Sequence, residues 1–581
     1  MKPQPSTLFA IAAFSLAASS FAAAPAPVAF DSFEYTGRDD IFAAPLPAGH
    51  YRNPILAGFY PDPSVCQVGQ DYYLINSTFA YYPGIPIFHS RDLVNWRQIG
   101  HVIHRPNQLS YDKLGVSRGL FAPALSYHEP SKTFYVVCTL VDGGGNFFVT
   151  AQDPAGPWSD PVWLDFDGID PSLFFDDNGR AWLVNNGNPP DNKPIYQGHR
   201  AIWIQEFDVK AQKLIGPRSI IINGGVDLAK QPVWIEGPHL YQRGGWYYLC
   251  CAEGGTSDQH SQVIFRSKAP TGPFTPWSDN PILTQRDLDG TVPHAVTATG
   301  HADLVEGPDG QWWSVFLACR PFAGRYFTTG RETFLLPVKW TEDGWPRILP
   351  HGERVPYVVK APVGPALAAG REQPNSAAAA DKRQPYDDVP LTGNFTWRDD
   401  FDSATLSPLW IMVRAPKETW WQLGQPAGRL SLTPRADALS GTGNPSFLAR
   451  RVQHAKFETS TTLVPPATVG TSGGLVAFQS ETHYYYFGVR RTSDGLVLFL
   501  ELMNGPTPEI VATTKLDAAA DAPITLRLVG NEMTLGFDYR VSNGEWKSFV
   551  PAADTQPITV QAAGGGLHFT GAVVGMHART E

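Results

Sequence analysis

Five stretches of this chain repeat one plan: a short strand, a polar turn, and a second strand that opens on aromatics. They read PDPSVCQVGQDYYLINSTF, APALSYHEPSKTFYVVCTL, DPSLFFDDNGRAWLVNNG, EGPHLYQRGGWYYLCCAEGG and HADLVEGPDGQWWSVFLACRP. Each turn carries breaker residues where a hairpin wants them, at Gly69, Pro130, Asn178–Gly179, Gly244–Gly245 and Asp309–Gly310. The units recur every 50–65 residues or so, which leaves room for two further strands in each. Segments such as IPIFHSRDLVNW, FFVTAQDPAGPW and SQVIFRSKAPTGPF fill that room. Four strands per unit and five units predict a five-bladed β-propeller. Aromatics at 12% and charged residues at 17%, with 54 Gly and 52 Pro, suit a large all-β chain with many tight connections.

Aligned on their aromatic second strands, the units present Asp62, Ala122, Asp170, Glu236 and His301 at the start of the first strand. In a propeller that strand lines the central channel, so Asp62, Asp170, Glu236 and His301 are expected around one axial pocket. Asp62 is held stiffly between two prolines. The competing reading, carboxylates capping turns, fits Asp176, Asp177 and Asp309 in the hairpins themselves. It fits residues in register on several blades poorly, because burying several carboxylates is costly unless their charge is used or shared. A net charge of −10 argues against nucleic acid or an anionic membrane surface as partner. The five cysteines lie in apolar, strand-like runs and read as buried free thiols, with no metal-binding spacing. No phosphate-cradling loop or nucleophile-elbow serine stands out. Paired carboxylates are tools of glycoside hydrolysis, one protonating the leaving oxygen and the other activating water or attacking carbon. A third nearby would raise its neighbour's pKa. A non-catalytic propeller lectin remains the alternative from another functional class.

The motifs PDPS, GIDPSLFFDDNGR and IEGPHLY resemble the signatures of glycoside hydrolase family 43. TGHADLV, WWSVFLACRP and GRETFLLPV resemble its branch of β-xylosidases and α-L-arabinofuranosidases. FTWRDDFDSATLSPLW and GGGLHFTGAVVGM resemble the C-terminal, concanavalin-like β-sandwich of the same enzymes. The resemblance implies that Asp62 is the general base, Glu236 the general acid, and Asp170 the residue that orients the acid and raises its pKa. It implies inversion at the anomeric centre, hence no covalent intermediate. Arg331 would bind hydroxyls of the first-subsite sugar, with a structural salt bridge as the competing reading. Phe79 and Phe121 would be apolar pocket walls, although relatives often carry tryptophan where Phe121 stands. Phe569 would reach over the pocket from the C-terminal domain, or else belong to the sandwich core. No cofactor is required. His301 resembles the axial histidine that in relatives helps hold a water-coordinated calcium, with a hydrogen-bonded core histidine as the alternative.

Residues 1–22 read as a secretory signal cleaved after Ala22, which predicts a periplasmic or extracellular protein. No later run of some eighteen apolar residues predicts a membrane span. The propeller is expected over 50–360, an Ala/Pro/Gly-rich linker over 361–393, and a two-sheet β-sandwich over 394–581. A sandwich closing one side of the site makes a pocket, and a pocket removes sugars from chain ends. The expectation is an exo-acting, inverting glycosidase that takes terminal β-D-xylose or α-L-arabinofuranose from xylo-oligosaccharide or arabinoxylan-derived substrates. The same scaffold acting on another pentose- or galactose-containing glycan, a retaining fructoside-processing propeller and a homo-oligomeric state all stay open.

Overall fold

The computed structural model describes residues 25–362, 389–424, 428–562 and 568–581. The expected signal segment and most of the expected linker lie outside the described residues. The five repeated units are five antiparallel blades, each a four-stranded meander, with a short fifth strand, Leu283–Thr284, added beside Ser261–Ser267 in the fourth. The first is Ser64–Val68, Asp71–Ile75, Gly84–Ser90 and Arg97–Ile103. The second runs Gly119–His128, Thr133–Val141, Gly145–Ala151 and Val162–Leu164. The third is Ile169–Phe175, Ala181–Gly187, Ala201–Asp208 and Lys213–Asn223. The fourth is Glu236–Arg243, Trp246–Glu253, Ser261–Ser267 and Thr275–Pro276, and the fifth Thr297–Glu306, Trp312–Cys319, Glu332–Trp340 and Pro346–Arg347.

The blades stack because their inner strands are apolar on both faces. All seven residues of Ala181–Gly187 are buried, the pattern of a strand covered on two sides rather than one. Five separate hydrophobic cores result, one at each blade junction. Leu74, Phe88, Val315 and Leu335 form the one between the fifth blade and the first, which closes the ring. Asn53 fixes that closure, donating from Nδ2 to the Leu335 carbonyl at 2.9 Å and accepting the Leu335 N–H at 2.8 Å. Outside the blades, His50–Arg52 pairs with Val358–Lys360 and ties the two ends of the propeller together.

The C-terminal domain is two eight-stranded antiparallel sheets packed face to face over one core. Two of its strands come from elsewhere in the chain. Val28–Gly37, ahead of the propeller, lies inside one sheet between Leu430–Leu432 and Lys456–Leu463. Its alternation, reset by a bulge between Phe30 and Ser32, sends Phe30, Phe33 and Tyr35 into the core, all fully buried. Tyr81–Tyr82, from the first blade's second connection, adds to the edge of the other sheet beside Ile411–Val413. The sandwich thus takes in residues outside 394–581. The five cysteines are free, Cys66 half-buried and the other four buried.

Candidate active site

The site grows from one irregularity repeated at the head of the first strands. In the second to fifth blades the ladder slips there, between Phe121 and Ala124, Ile169 and Ser172, Glu236 and His239, and Gly300 and Asp303. The residue just inside each slip is left-handed: Ala122 at φ 39°, Asp170 at 53°, Gly237 at 54° and His301 at 49°. Asp62, directly ahead of the first blade's first strand, has φ 51°. Left-handed backbone is costly for residues other than glycine, and bulges of this kind re-aim side chains next to functional sites. The structural counterpart of Asp62, Asp170 and His301 in the fourth blade is therefore Gly237. Glu236 sits one position earlier, as the last residue paired across to Ala252. The expected alignment put Glu236 in register with the others. It is offset by one because the motif in this blade is Gly-Pro where two others have Asp-Pro. A Cβ on Gly237 would lie 3.0 Å from the His301 ring, so glycine lets these two blades approach.

Asp62 is buried and fully engaged. Its Oδ2 accepts the Ser77 hydroxyl at 2.6 Å, its Oδ1 accepts Arg331 Nη1 at 3.1 Å, and His301 Nδ1 stands 3.8 Å from Oδ1. Burial pushes its pKa up, but the Arg331 guanidinium, His301 and the Ser77 bond outweigh this and hold it below the ordinary carboxylate range. Glu236 shows the opposite balance. Burial, then the carboxylates of Asp170 and Asp62, drive its pKa well above the usual value, against the pull of Arg331 and Arg200. Asp170 is also pushed up, by burial and by Asp62, while its Oδ2 accepts the Gly237 N–H at 3.1 Å. Burial and neighbouring charge thus shift Asp62 and Glu236 in opposite directions, the separation of base from acid that hydrolysis by two carboxyls needs.

Arg331 ties the walls together. Beyond Asp62, its Nη1 donates to Thr256 Oγ1 at 3.0 Å and its Nη2 to the Phe569 carbonyl at 3.4 Å. Phe569 leaves the sandwich core and enters the pocket, stacking on Phe79 at 5.8 Å and meeting Phe121 edge-on at 5.3 Å. Phe79 and Phe121 are 5.2 Å apart, so three rings from two domains make one apolar wall. The Phe569 N–H donates to Ser117 Oγ at 3.2 Å, which fixes the intruding loop to the propeller. Together these residues line a cavity of about 380 Å³, within the usual span of small-ligand sites.

All eight residues expected at the site lie on this cavity. It is also lined by Arg118, Arg200, Trp234 and Thr256, which no motif had marked. Arg200 is held by Asn186, near the end of the third blade's second strand, and by Asn188 just beyond it. His301 is kept neutral, its pKa lowered to about 4 by burial, with His239 and Arg331 adding to the effect. Among the described residues no group of three or more His, Cys, Asp or Glu could hold a metal. His301 offers one imidazole, and its carboxylate neighbour Asp62 is already bonded to Arg331 and Ser77. A cation beside His301 would thus have that imidazole as its one protein ligand.

Comparison with known proteins agrees with this architecture. Residues 51–346 match the model of glycosyl hydrolases family 43, and residues 398–581 that of the β-xylosidase C-terminal concanavalin A-like domain. The chain is 37% identical to a xylosidase/arabinosidase of Butyrivibrio fibrisolvens, over 90% of this chain and 95% of the relative. It is 34% identical to a non-reducing end α-L-arabinofuranosidase of Bacteroides ovatus, over 91% of each chain. Among solved structures, a GH43_12 protein from a capybara gut metagenome superposes with a TM-score of 0.85 at 40% identity, covering 96% of this chain and all of that one. A xylan β-1,4-xylosidase of Bacillus halodurans gives 0.78 at 33% identity, covering 91% and 97%. Matched by both domain models and by relatives over nine-tenths of its length, this chain belongs to family 43 of the glycosyl hydrolases and is a glycosidase.

Proposed function

We propose that the protein is an exo-acting, inverting glycosidase that removes terminal β-D-xylose or α-L-arabinofuranose from xylo-oligosaccharides and arabinoxylan-derived chains. The observation that carries this reading is the placement of three carboxyls on one walled cavity, with Asp62 bonded to Arg331 and Ser77 and Glu236 left among acids. Asp62 takes a proton from a water that attacks the anomeric carbon. Glu236 gives its proton to the glycosidic oxygen as the carbon–oxygen bond breaks. Asp170 keeps Glu236 protonated and is itself bonded to the backbone N–H that follows the acid. Arg331 holds Asp62 ionised and offers its remaining donors to sugar hydroxyls. The wall formed by Phe569 favours the end of a chain over its middle. The names borne by the relatives support pentose glycosides as substrates, and the leader-like N-terminus supports export. The side chains supply the whole displacement; a water-held calcium beside His301 would add charge to the floor without being a reactant.

The test is hydrolysis of aryl β-D-xyloside and aryl α-L-arabinofuranoside by the wild type and Glu236→Ala, with the product anomer followed by NMR. Inverted product, with the variant losing orders of magnitude mainly on poor leaving groups, supports the assignment. Retained product sinks the mechanism, and inactivity on both sugars sinks the substrate class.

A further inference from the structure

Trp234 stands two residues before Glu236 and lines the same cavity, yet it is 37% exposed while Ile235 beside it is fully buried. Its backbone is left-handed, at φ 51°, which is a strained setting for so bulky a residue. The strain is enforced from both sides. The Trp234 N–H donates to the Gly198 carbonyl at 2.9 Å, and Asn186 Nδ2 donates to the Ile235 carbonyl at 2.6 Å. One face of the indole is covered by the Arg200 guanidinium, 4.8 Å from the ring. Arg200 is itself immobilised, with Nε and Nη2 on Asn186 Oδ1 at 3.0 and 2.8 Å and Nη1 on Asn188 Oδ1 at 2.6 Å. The ring is therefore backed by a fixed plate and keeps its other surface open at the mouth of the cavity.

Direction follows from the chemistry of the acid. The walls around Asp62, made by Phe79, Phe121, Phe569 and Arg331, enclose the sugar that is cut off. The oxygen that Glu236 protonates leads the other way, toward the chain that leaves. Resting on the glycosidase reading above, we propose that Trp234, backed by Arg200, is the stacking platform for the leaving sugar, and that it selects substrates whose leaving group is itself a sugar ring. Exposed aromatic rings match the C–H face of a pyranose in area and polarity. The apolar surface continues outward through Val233, 41% exposed, and Ile195, 67% exposed, on the loop whose Gly198 approaches both Val233 and Trp234.

The experiment compares kcat/KM of the full-length protein on two pairs: β-1,4-xylobiose against methyl β-D-xyloside, and α-L-arabinofuranosyl-xylose against methyl α-L-arabinofuranoside. Within each pair the sugar removed is the same and only the leaving group differs. Trp234→Ala is expected to lower the disaccharide-to-methyl ratio at least tenfold on the pair the wild type uses. Trp234→Phe, which keeps a ring, is expected to hold that ratio within threefold. An equal loss on both members of the pair, or an unchanged ratio in Trp234→Ala, overturns the platform and leaves the glycosidase reading standing. A wild type inactive on all four compounds overturns that reading and the platform with it.

Discussion

At the scale of single residues, the site is a contest between burial and neighbouring charge, and the winner differs from carboxyl to carboxyl. Asp62 has a guanidinium and a hydroxyl in bonding contact and its pKa is held down; Glu236 has two acids nearby and its pKa is driven up. The pH profile of kcat/KM should be a bell whose acid limb falls below the ordinary aspartate range and whose alkaline limb falls above the ordinary glutamate range. Asp170 contributes to the second limb only: raised to about 7, it is still uncharged where Asp62 titrates, and it carries the charge that raises Glu236 only at higher pH. Asp170→Asn removes that negative charge, so the alkaline limb should move to lower pH while the acid limb stays in place. A profile measured on an activated aryl glycoside checks this, and an unmoved alkaline limb would refute the role given to Asp170.

At the scale of elements, the recurring feature is a strand that begins with a slip. The slips put residues far apart in sequence onto one axial pocket, and they do it with backbone geometry that few residues tolerate. Gly237 is the clearest case: Gly237→Ala combines φ 54° with a Cβ 3.0 Å from His301. It should cost about 1–2 kcal/mol of stability and lower kcat at least tenfold by moving Glu236. Urea denaturation and initial rates measure the two effects separately. The same feature explains what the sequence made legible. Asp62, Asp170 and His301 were readable because each blade repeats the pattern of breakers and aromatics around them. The offset of Glu236 was not, since a slip of one residue leaves composition and spacing almost unchanged while turning side chains to another side. Arg200, Trp234 and Thr256 were hidden for a different reason: they sit in connections that do not repeat. The pairing of Val28–Gly37 with the sandwich leaves no local trace either, because its partners lie beyond the whole propeller.

At the scale of the molecule, the two domains are joined by buried charge as well as by the shared pocket. Arg320 donates to both oxygens of Glu332 in the fifth blade, at 2.6 and 2.9 Å, to Asp39 in the N-terminal segment at 2.8 Å, and to the Gln453 carbonyl of the sandwich at 3.1 Å. Asp39 in turn accepts the backbone N–H groups of Ala455 and Lys456. Removing the one cation strands two buried carboxylates, so Arg320→Leu should lose about 3–5 kcal/mol at neutral pH. The loss should shrink at lower pH as the freed carboxyls take up protons. Denaturation of wild type and variant at two pH values tests this, and a pH-independent difference would refute it. The first strand of the sandwich has a consequence for synthesis. Val28–Gly37 is made early, but its partners, starting at Phe395, emerge from the ribosome only after the entire propeller has been translated. At typical elongation rates of 5–20 residues per second that is a delay of tens of seconds. During it, three large aromatics and a row of open backbone groups have nothing of their own to pair with. The nascent chain thus carries an unpaired aromatic strand, a ready template for pairing with other chains, until the sandwich is made.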